Sequence, residues 1–273
     1  MAPLDNAKRG SLEEVLACQQ QAVPASLGER MMLQAPKPVV SGPLPPCFRA
    51  NEFLRYDPEC YDFRAEAIAL LAVAGPKVGF GAFSDSDEPQ ELEAFKAKPA
   101  VFHFKYEKRW RQCILERVDF LAVYVRLLEE VVCPYLRSKI SHSEPVTFYC
   151  QYPPTLRLQP GPSTDVKRLH RDAEYGHQDG EVNFWMPLSD YSKTKSTLWV
   201  ESEPNADDFH PLDINIGEIA MFHGTLVRHY APGNPSEFLR ASMDFRIGVD
   251  TFFDPQWRLE GLQHSHGRRE ITL

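Results

Sequence analysis

The sequence predicts an α+β chain with a mainly β core, a sandwich or jelly roll backed by N-terminal helices, and three observations predict it. From residue 146 onward, short runs rich in aromatic and β-branched residues alternate with turn signals. Before that point the chain reads as helical and is punctuated by proline. The length, 273 residues, suits one large β domain whose core needs no covalent staples. The expected organisation is a single domain over 1–273. A helical and extended layer covers 1–145, the jelly-roll core 146–250 and a tail 251–273.

Ser11 with Glu14 three residues on makes a capping box, which predicts a short helix to about Gln21. Gln34 to Pro46 carries five prolines and reads as an extended, surface-wrapping segment. Ala65 to Val73 reads as a buried helix, and Ser84 to Pro89 as an exposed acidic loop. Glu107 to Val132 is the clearest helix. Trp110, Cys113, Ile114, Val118, Leu121, Val125, Leu128 and Val132 form an apolar stripe along it, and Pro134 is expected to stop it. The strand candidates are Val146–Gln151, Thr155–Gln159, Val166–Arg171, Glu181–Pro187, Ser196–Glu201, His210–Ile214, Ile219–Tyr230 (with a break at Gly224) and Leu239–Val249. Regular short strands after a helical segment predict helices packed on one sheet.

Composition narrows the function. The net charge is -8 and no Lys/Arg block appears, so a nucleic-acid partner is not expected and a small-molecule substrate is. The six cysteines lie at 18, 47, 60, 113, 133 and 150, with no C-x-x-C among them, and read as reduced and structural. No apolar leader precedes the first helix, and the most apolar stretch, Ala67 to Ala74, is too short to span a bilayer. The expectation is a soluble, cytoplasmic protein without a membrane partner. Its oligomeric state is not legible in the sequence.

One constellation carries chemistry. His170-Arg171-Asp172 sets an imidazole and a carboxylate at i and i+2, which share one face of a strand. A second histidine from a distant strand, His229, completes a 2-His-1-carboxylate set. That set occupies one face of an octahedron and leaves three positions open, the geometry of non-heme Fe(II) oxygenases. The H-x-D tripeptide occurs twice, at His170-Asp172 and His177-Asp179. The first follows a strand-like run and is preferred. The second is flanked by Gly176 and Gly180 and reads as a turn. His223 competes with His229 but lacks an arginine at the right distance, so it reads as a pocket or core histidine. Arg240 follows His229 by eleven residues and Ser242 lies two beyond it. This spacing resembles the H-x-D … H-x10-R-x-S pattern of 2-oxoglutarate oxygenases, a resemblance that implies a guanidinium fork on the distal carboxylate of 2-oxoglutarate with the serine hydroxyl on the same strand face donating to it.

At these residues the sequence resembles the Fe(II)/2-oxoglutarate-dependent oxygenases of the streptomycin-biosynthesis StrG-like group. The resemblance runs from Phe148 to Val249 through FYCQYPPTLRLQPGP, LHRDAEYGHQDGEVNFWMPLSDY, TLWVESEP, FHGTLVRHYAPGN and LRASMDFR. It implies a double-stranded β-helix of cupin-like form, with Fe(II) on His170, Asp172 and His229 and 2-oxoglutarate anchored by Arg240. It also implies O2 as oxidant, and carries over Tyr175, His177 and Asn183 as pocket residues. Asn183 is a candidate for the C1 carboxylate of 2-oxoglutarate. Asp172 stands where related halogenases have Gly or Ala, which favours oxygenation. Beyond the resemblance, Arg157 is a candidate for an anionic substrate group or 2-oxoglutarate. Trp185 shares a strand face with Asn183, and either packs or meets substrate. Thr197 and Trp199 read as packing residues. Arg246 has the strand parity of Arg240 and is the fallback anchor. The expected reaction is hydroxylation, desaturation or cyclisation of an amino acid, cyclitol or sugar derivative. Two alternatives remain open at this point: a cupin-like metal enzyme that does not use 2-oxoglutarate, and a non-catalytic jelly-roll binding protein. A protein substrate also remains open.

Overall fold

The computed structural model describes residues 37–78, 91–95, 107–163, 167–258 and 267–273. The capping-box helix after Ser11 and the acidic loop at Ser84 to Pro89 lie outside the described residues, as do Val166 and the first three residues of the proline-rich segment.

Eleven strands are described, in two antiparallel sheets. They are β1 (Glu52–Arg55), β2 (Thr147–Tyr152), β3 (Thr155–Gln159), β4 (Lys167–His170), β5 (Glu181–Pro187), β6 (Trp199–Val200), β7 (His210–Pro211), β8 (Glu218–Phe222), β9 (His229–Ala231), β10 (Arg240–Val249) and β11 (Gly267–Thr272). The larger sheet runs β1-β8-β5-β10-β2-β11, with β3 also paired to β10; the smaller runs β4-β9-β6-β7. Together they make the expected jelly-roll core.

Alternation along the larger sheet sorts its two faces. Val182, Phe184 and Met186 of β5 and Ala241, Met243, Phe245, Ile247 and Val249 of β10 join the main apolar cluster. The helical layer supplies Phe63, Leu70, Phe120, Tyr124 and Leu128 to the same cluster. Phe184 stacks on Phe245 at 5.2 Å, and Tyr124 meets Phe245 edge-on at 5.3 Å. Each such pair adds about 0.5–1.5 kcal/mol beyond the area it buries. The Tyr124 hydroxyl donates to the Gln151 carbonyl at 2.8 Å, so its burial leaves no polar atom stranded. The opposite face carries the charged and polar residues of β3, β5 and β10 into the barrel.

The helices are α1 (Phe63–Val78), α2 (Glu107–Leu115), α3 (Val118–Leu127), α4 (Cys133–Ser138) and α5 (Tyr191–Thr194). The expected buried helix at Ala65 to Val73 is α1. The single helix expected over Glu107 to Val132 is instead broken after Leu115, and a π-turn over Leu128–Val132 joins α3 to α4. Pro134 does not stop it. It sits in the first turn of α4, where a missing N–H costs little. No helix among the described residues is long and apolar enough to cross a membrane.

The strand reading needs two corrections, and one expected break is found. Residues 52–55, expected to be part of the helical and extended layer, pair with β8 as β1. The expected tail holds β11, which pairs with β2 over six residue pairs from Gly267 to Thr272. The run Ile219 to Tyr230 is two strands in different sheets, parted by the turn from His223, so the break at Gly224 is real. Cys133 and Cys150 are buried, with their sulfurs 3.7 Å apart.

Candidate metal centre and carboxylate anchor

β4 and β9 pair in the smaller sheet with His170 opposite His229, and Val200 of β6 opposes His229 on its other side. The two imidazoles therefore stand side by side, 4.5 Å between ring centroids. Asp172 is not on the strand. It opens a 3₁₀ turn, Asp172–Tyr175, fixed by its own N–H donating to the Gly224 carbonyl at 2.8 Å. Glu174 accepts from the Arg171 N–H at 2.9 Å, and Gly176 closes the turn at φ +84°, a conformation that favours glycine. The turn, and not the strand parity expected from the sequence, brings Asp172 to His170.

The three side chains converge. Their ligand atoms lie within 4.8 Å of one another, and they are the group of three or more His, Cys, Asp or Glu found able to hold a metal among the described residues. Nε2 of His170 is 3.7 Å and Nε2 of His229 is 3.6 Å from Oδ1 of Asp172. Nδ1 of His170 lies 2.6 Å from the Arg168 carbonyl, and Nδ1 of His229 lies 3.3 Å from that of Val227. A carbonyl only accepts, so each Nδ1 carries the proton and each Nε2 offers its lone pair to the centre. Burial and the neighbouring His170 push the His229 pKa down, which keeps that lone pair available. Burial works against the Asp172 carboxylate. Arg246 and the two histidines outweigh it and hold the carboxyl well below its ordinary range.

Oδ2 of Asp172 faces the other way. It accepts from Nε of Arg246 at 2.7 Å and from Nδ2 of Asn183 at 2.5 Å. The sequence suggested the 2-oxoglutarate C1 carboxylate for Asn183 and a fallback anchor in Arg246. Both side chains are instead engaged on the carboxylate ligand. Nothing local announces these bonds, because Arg246 and Asp172 are 74 residues apart.

Along the inner face of β10 the charges pair off in order. Arg157 grips Asp244 with Nε at 2.7 Å and Nη2 at 3.2 Å, so its fork meets this carboxylate. Arg246 takes Asp172. Arg240 is different: it is 6% exposed, Nη1 reaches only the Gln159 amide oxygen at 3.3 Å, and Nε is buried with no partner. Burial and the nearby Arg157 lower its pKa to about 10, the sign of a buried cation short of a counter-charge. Its guanidinium carbon lies 5.7 Å over the Trp185 ring, so Trp185 packs beneath the arginine within a second apolar cluster. Ser242, two residues on and fully buried, also has an unpartnered hydroxyl.

The remaining candidates sit around this centre. Tyr175 meets the His170 ring edge-on at 5.0 Å. Nδ1 of His177 is 2.6 Å from Oε2 of Glu181, whose other oxygen is held by Arg268. Asp179 is half-buried and points elsewhere, accepting from the Leu44 N–H at 3.2 Å. The second H-x-D thus forms no joint site. His223 is buried with Nε2 2.7 Å from the Asp179 carbonyl, as a pocket or core histidine would be. Thr197 and Trp199 are buried, the threonine donating to the Leu212 carbonyl at 2.9 Å.

No family model matches the sequence. A stretch of 132 residues is 32% identical to the streptomycin biosynthesis protein StrG of Streptomyces griseus, covering 47% of this chain and 62% of that protein. The chain resembles StrG. The chain spans about three-fifths of the length of the curated relative it matches. Among solved structures it is similar to SnoK from nogalamycin biosynthesis, a non-heme alpha-ketoglutarate-dependent carbocyclase, at 13% identity and a TM-score of 0.46 over 79% of this chain and 87% of that one. It is also similar to a Pseudomonas putida prolyl-4-hydroxylase, at 12% identity and a TM-score of 0.36 over 75% of this chain and 89% of that one.

Proposed function

We propose that this chain is a non-heme Fe(II)- and 2-oxoglutarate-dependent oxygenase acting on a small molecule. The observation that carries the reading is the unpartnered pair, Nε of Arg240 and the hydroxyl of Ser242, buried on the barrel face that also holds the metal-binding set. A buried cation without a counter-ion is costly, and a carboxylate that meets both donors removes the cost. A metal site alone gives no reason for such an anchor, which speaks against the cupin-like alternative. The residues fit the groups the reading needs. His170, Oδ1 of Asp172 and His229 would hold Fe(II), their ligand atoms lying within 4.8 Å of one another. Arg240 and Ser242 hold the distal carboxylate of 2-oxoglutarate, and Trp185 packs under the guanidinium. Bound together, iron, 2-oxoglutarate and O2 supply the oxidising power, with 2-oxoglutarate converted to succinate and CO2. The protein's own part is to orient and to exclude water. Phe222 packs against the His229 ring at 5.3 Å, and the apolar cluster around Trp185, Val200, Leu212 and Phe222 keeps this region dry.

The substrate is proposed to be an amino acid, cyclitol or sugar derivative, in keeping with the resemblance to StrG, and the outcome hydroxylation, desaturation or ring closure. Tyr175, Arg157 and His177 are the proposed substrate contacts, and the protein is proposed to act in the cytoplasm.

Anaerobic titration of the apoprotein with Fe(II) and 2-oxoglutarate tests the reading. A visible metal-to-ligand charge-transfer band is expected. In Arg240→Ala the 2-oxoglutarate concentration needed to reach it should rise at least about tenfold, through loss of a charge-assisted fork worth about 1.5–3 kcal/mol, while Fe(II) affinity is unchanged. Iron binding with no band at any 2-oxoglutarate concentration would overturn the proposal.

A further inference from the structure

We propose that Arg246 and Asn183 form a preformed carboxylate-binding hole that holds Asp172 as a one-oxygen metal ligand, so that two residues which never touch the metal set its affinity. The inference rests on the Fe(II)/2-oxoglutarate reading of the same centre. Asn183 and Arg246 oppose each other directly across β5 and β10, so the sheet fixes their spacing. Their donors converge on Oδ2, at 2.5 and 2.7 Å, while both histidines face Oδ1. The carboxylate is divided between two tasks, one oxygen for the hole and one for the metal.

The donors are held independently of the carboxylate they meet. Nη1 of Arg246 reaches Oε1 of Gln151 at 3.4 Å and lies 3.8 Å from Oδ2 of Asp244. Gln151 is in turn oriented by its amide, which donates to the Thr155 hydroxyl at 2.9 Å. Oδ1 of Asn183 accepts from the Gly224 N–H at 3.2 Å, which turns its amide nitrogen towards Asp172. Arg246, Asn183 and Asp172 are 7%, 5% and 1% exposed, so water cannot replace any of these bonds. An oxygen with two charge-assisted or amide donors in place is a poor second ligand. Two-oxygen ligation by Asp172 is therefore suppressed, which keeps three positions open for cosubstrate and O2. Arg246 and Asn183 are positioning residues.

The test reads metal binding, with Co(II) as spectroscopic probe and no cosubstrate or turnover. Arg246→Met should bind Co(II) about 10–100-fold more weakly, and Arg246→Lys should recover part of the loss. Asp172→Ala empties the hole. Formate should seat there and restore Co(II) affinity to Asp172→Ala, but not to the double variant Asp172→Ala/Arg246→Met. A folded Asp172→Ala protein that formate does not help would overturn the inference, as would wild-type affinity in Arg246→Met. If Asp172→Ala does not fold, the Arg246→Met and Arg246→Lys comparison decides alone. If the wild type binds no metal, the iron reading fails. Formate raising the melting temperature of Asp172→Ala still supports the hole, and no rise overturns it too.

Discussion

Gly224 has a task that follows from a single missing atom. A Cβ built there would lie 2.6–2.7 Å from the side-chain amide of Asn183, closer than any real contact allows. Asn183 has nowhere to retreat, since it bonds both Asp172 and the Gly224 N–H. Gly224→Ala should therefore swing the amide off Asp172. Metal affinity should fall by about tenfold, in line with the loss of one partner of a ligand, and stability by about 1–3 kcal/mol, the usual cost of overpacking. Metal titration and urea unfolding of the variant check both. Unchanged metal affinity would mean that Asn183 does not hold Asp172. His170, Asp172 and His229 could be singled out in the sequence by residue type and spacing, and the structure brings the three side chains together, although Asp172 stands in a turn and not on the strand that parity assumed. Arg240 and Ser242 were singled out by their spacing from His229, and the structure buries both on one face of β10. The tasks of Asn183 and Arg246 were not legible, because each acts on a residue brought near only by the finished barrel.

At the scale of elements, local pattern predicted the strands that have it. Thr155–Gln159 and Glu181–Pro187 were read with their observed bounds, and Leu239–Val249 within one residue. β1 and β11 escaped because they are outer strands with mixed burial, and neither alternates cleanly. The long helix was over-read because its apolar stripe continues smoothly through a break and a π-turn that side-chain periodicity does not register. β11 brings more than backbone pairing. Its Arg268 holds the buried Glu181 of β5, three strands away in the same sheet. Removing one partner of a buried pair leaves the other charge uncompensated, at about 3–5 kcal/mol. Arg268→Met should thus lower the melting temperature by about 6–20 °C. A shift under about 2 °C in calorimetry would show that His177 alone satisfies Glu181.

Across the whole molecule, the same Glu181 makes stability depend on acid. Burial would raise its pKa, but Arg268 and His177 more than offset this and bring it down to about 2 from 4.5. A carboxylate with a depressed folded pKa contributes its stability above the unfolded value and loses it as pH falls through the folded one. Here that window runs from about pH 5 down to about pH 2, and the contribution is roughly 3 kcal/mol. Urea midpoints measured across this range should fall less steeply in Glu181→Gln than in the wild type, with the variant already weaker at pH 6. Equal slopes would mean that the pair is not strongly coupled in solution. Charge balance explains why the fold class was readable early while this network was not. Composition and strand pattern describe the barrel wall, whereas the pairing of its inner charges depends on register between strands far apart in the chain.

The place of β10 sets a timetable for biosynthesis. β10 has β5 along one side and β2 and β3 along the other, and β2 carries β11 beyond it. Those earlier strands leave the ribosome with no partner for the edges they will give to β10. Arg246 meets Gln151 over a separation of 95 residues, and β2 pairs with a strand beginning at Gly267. The larger sheet cannot close until Gly267 to Thr272 has emerged. Until then the nascent polypeptide carries open strand edges, the kind of surface that pairs wrongly with other chains unless it is covered.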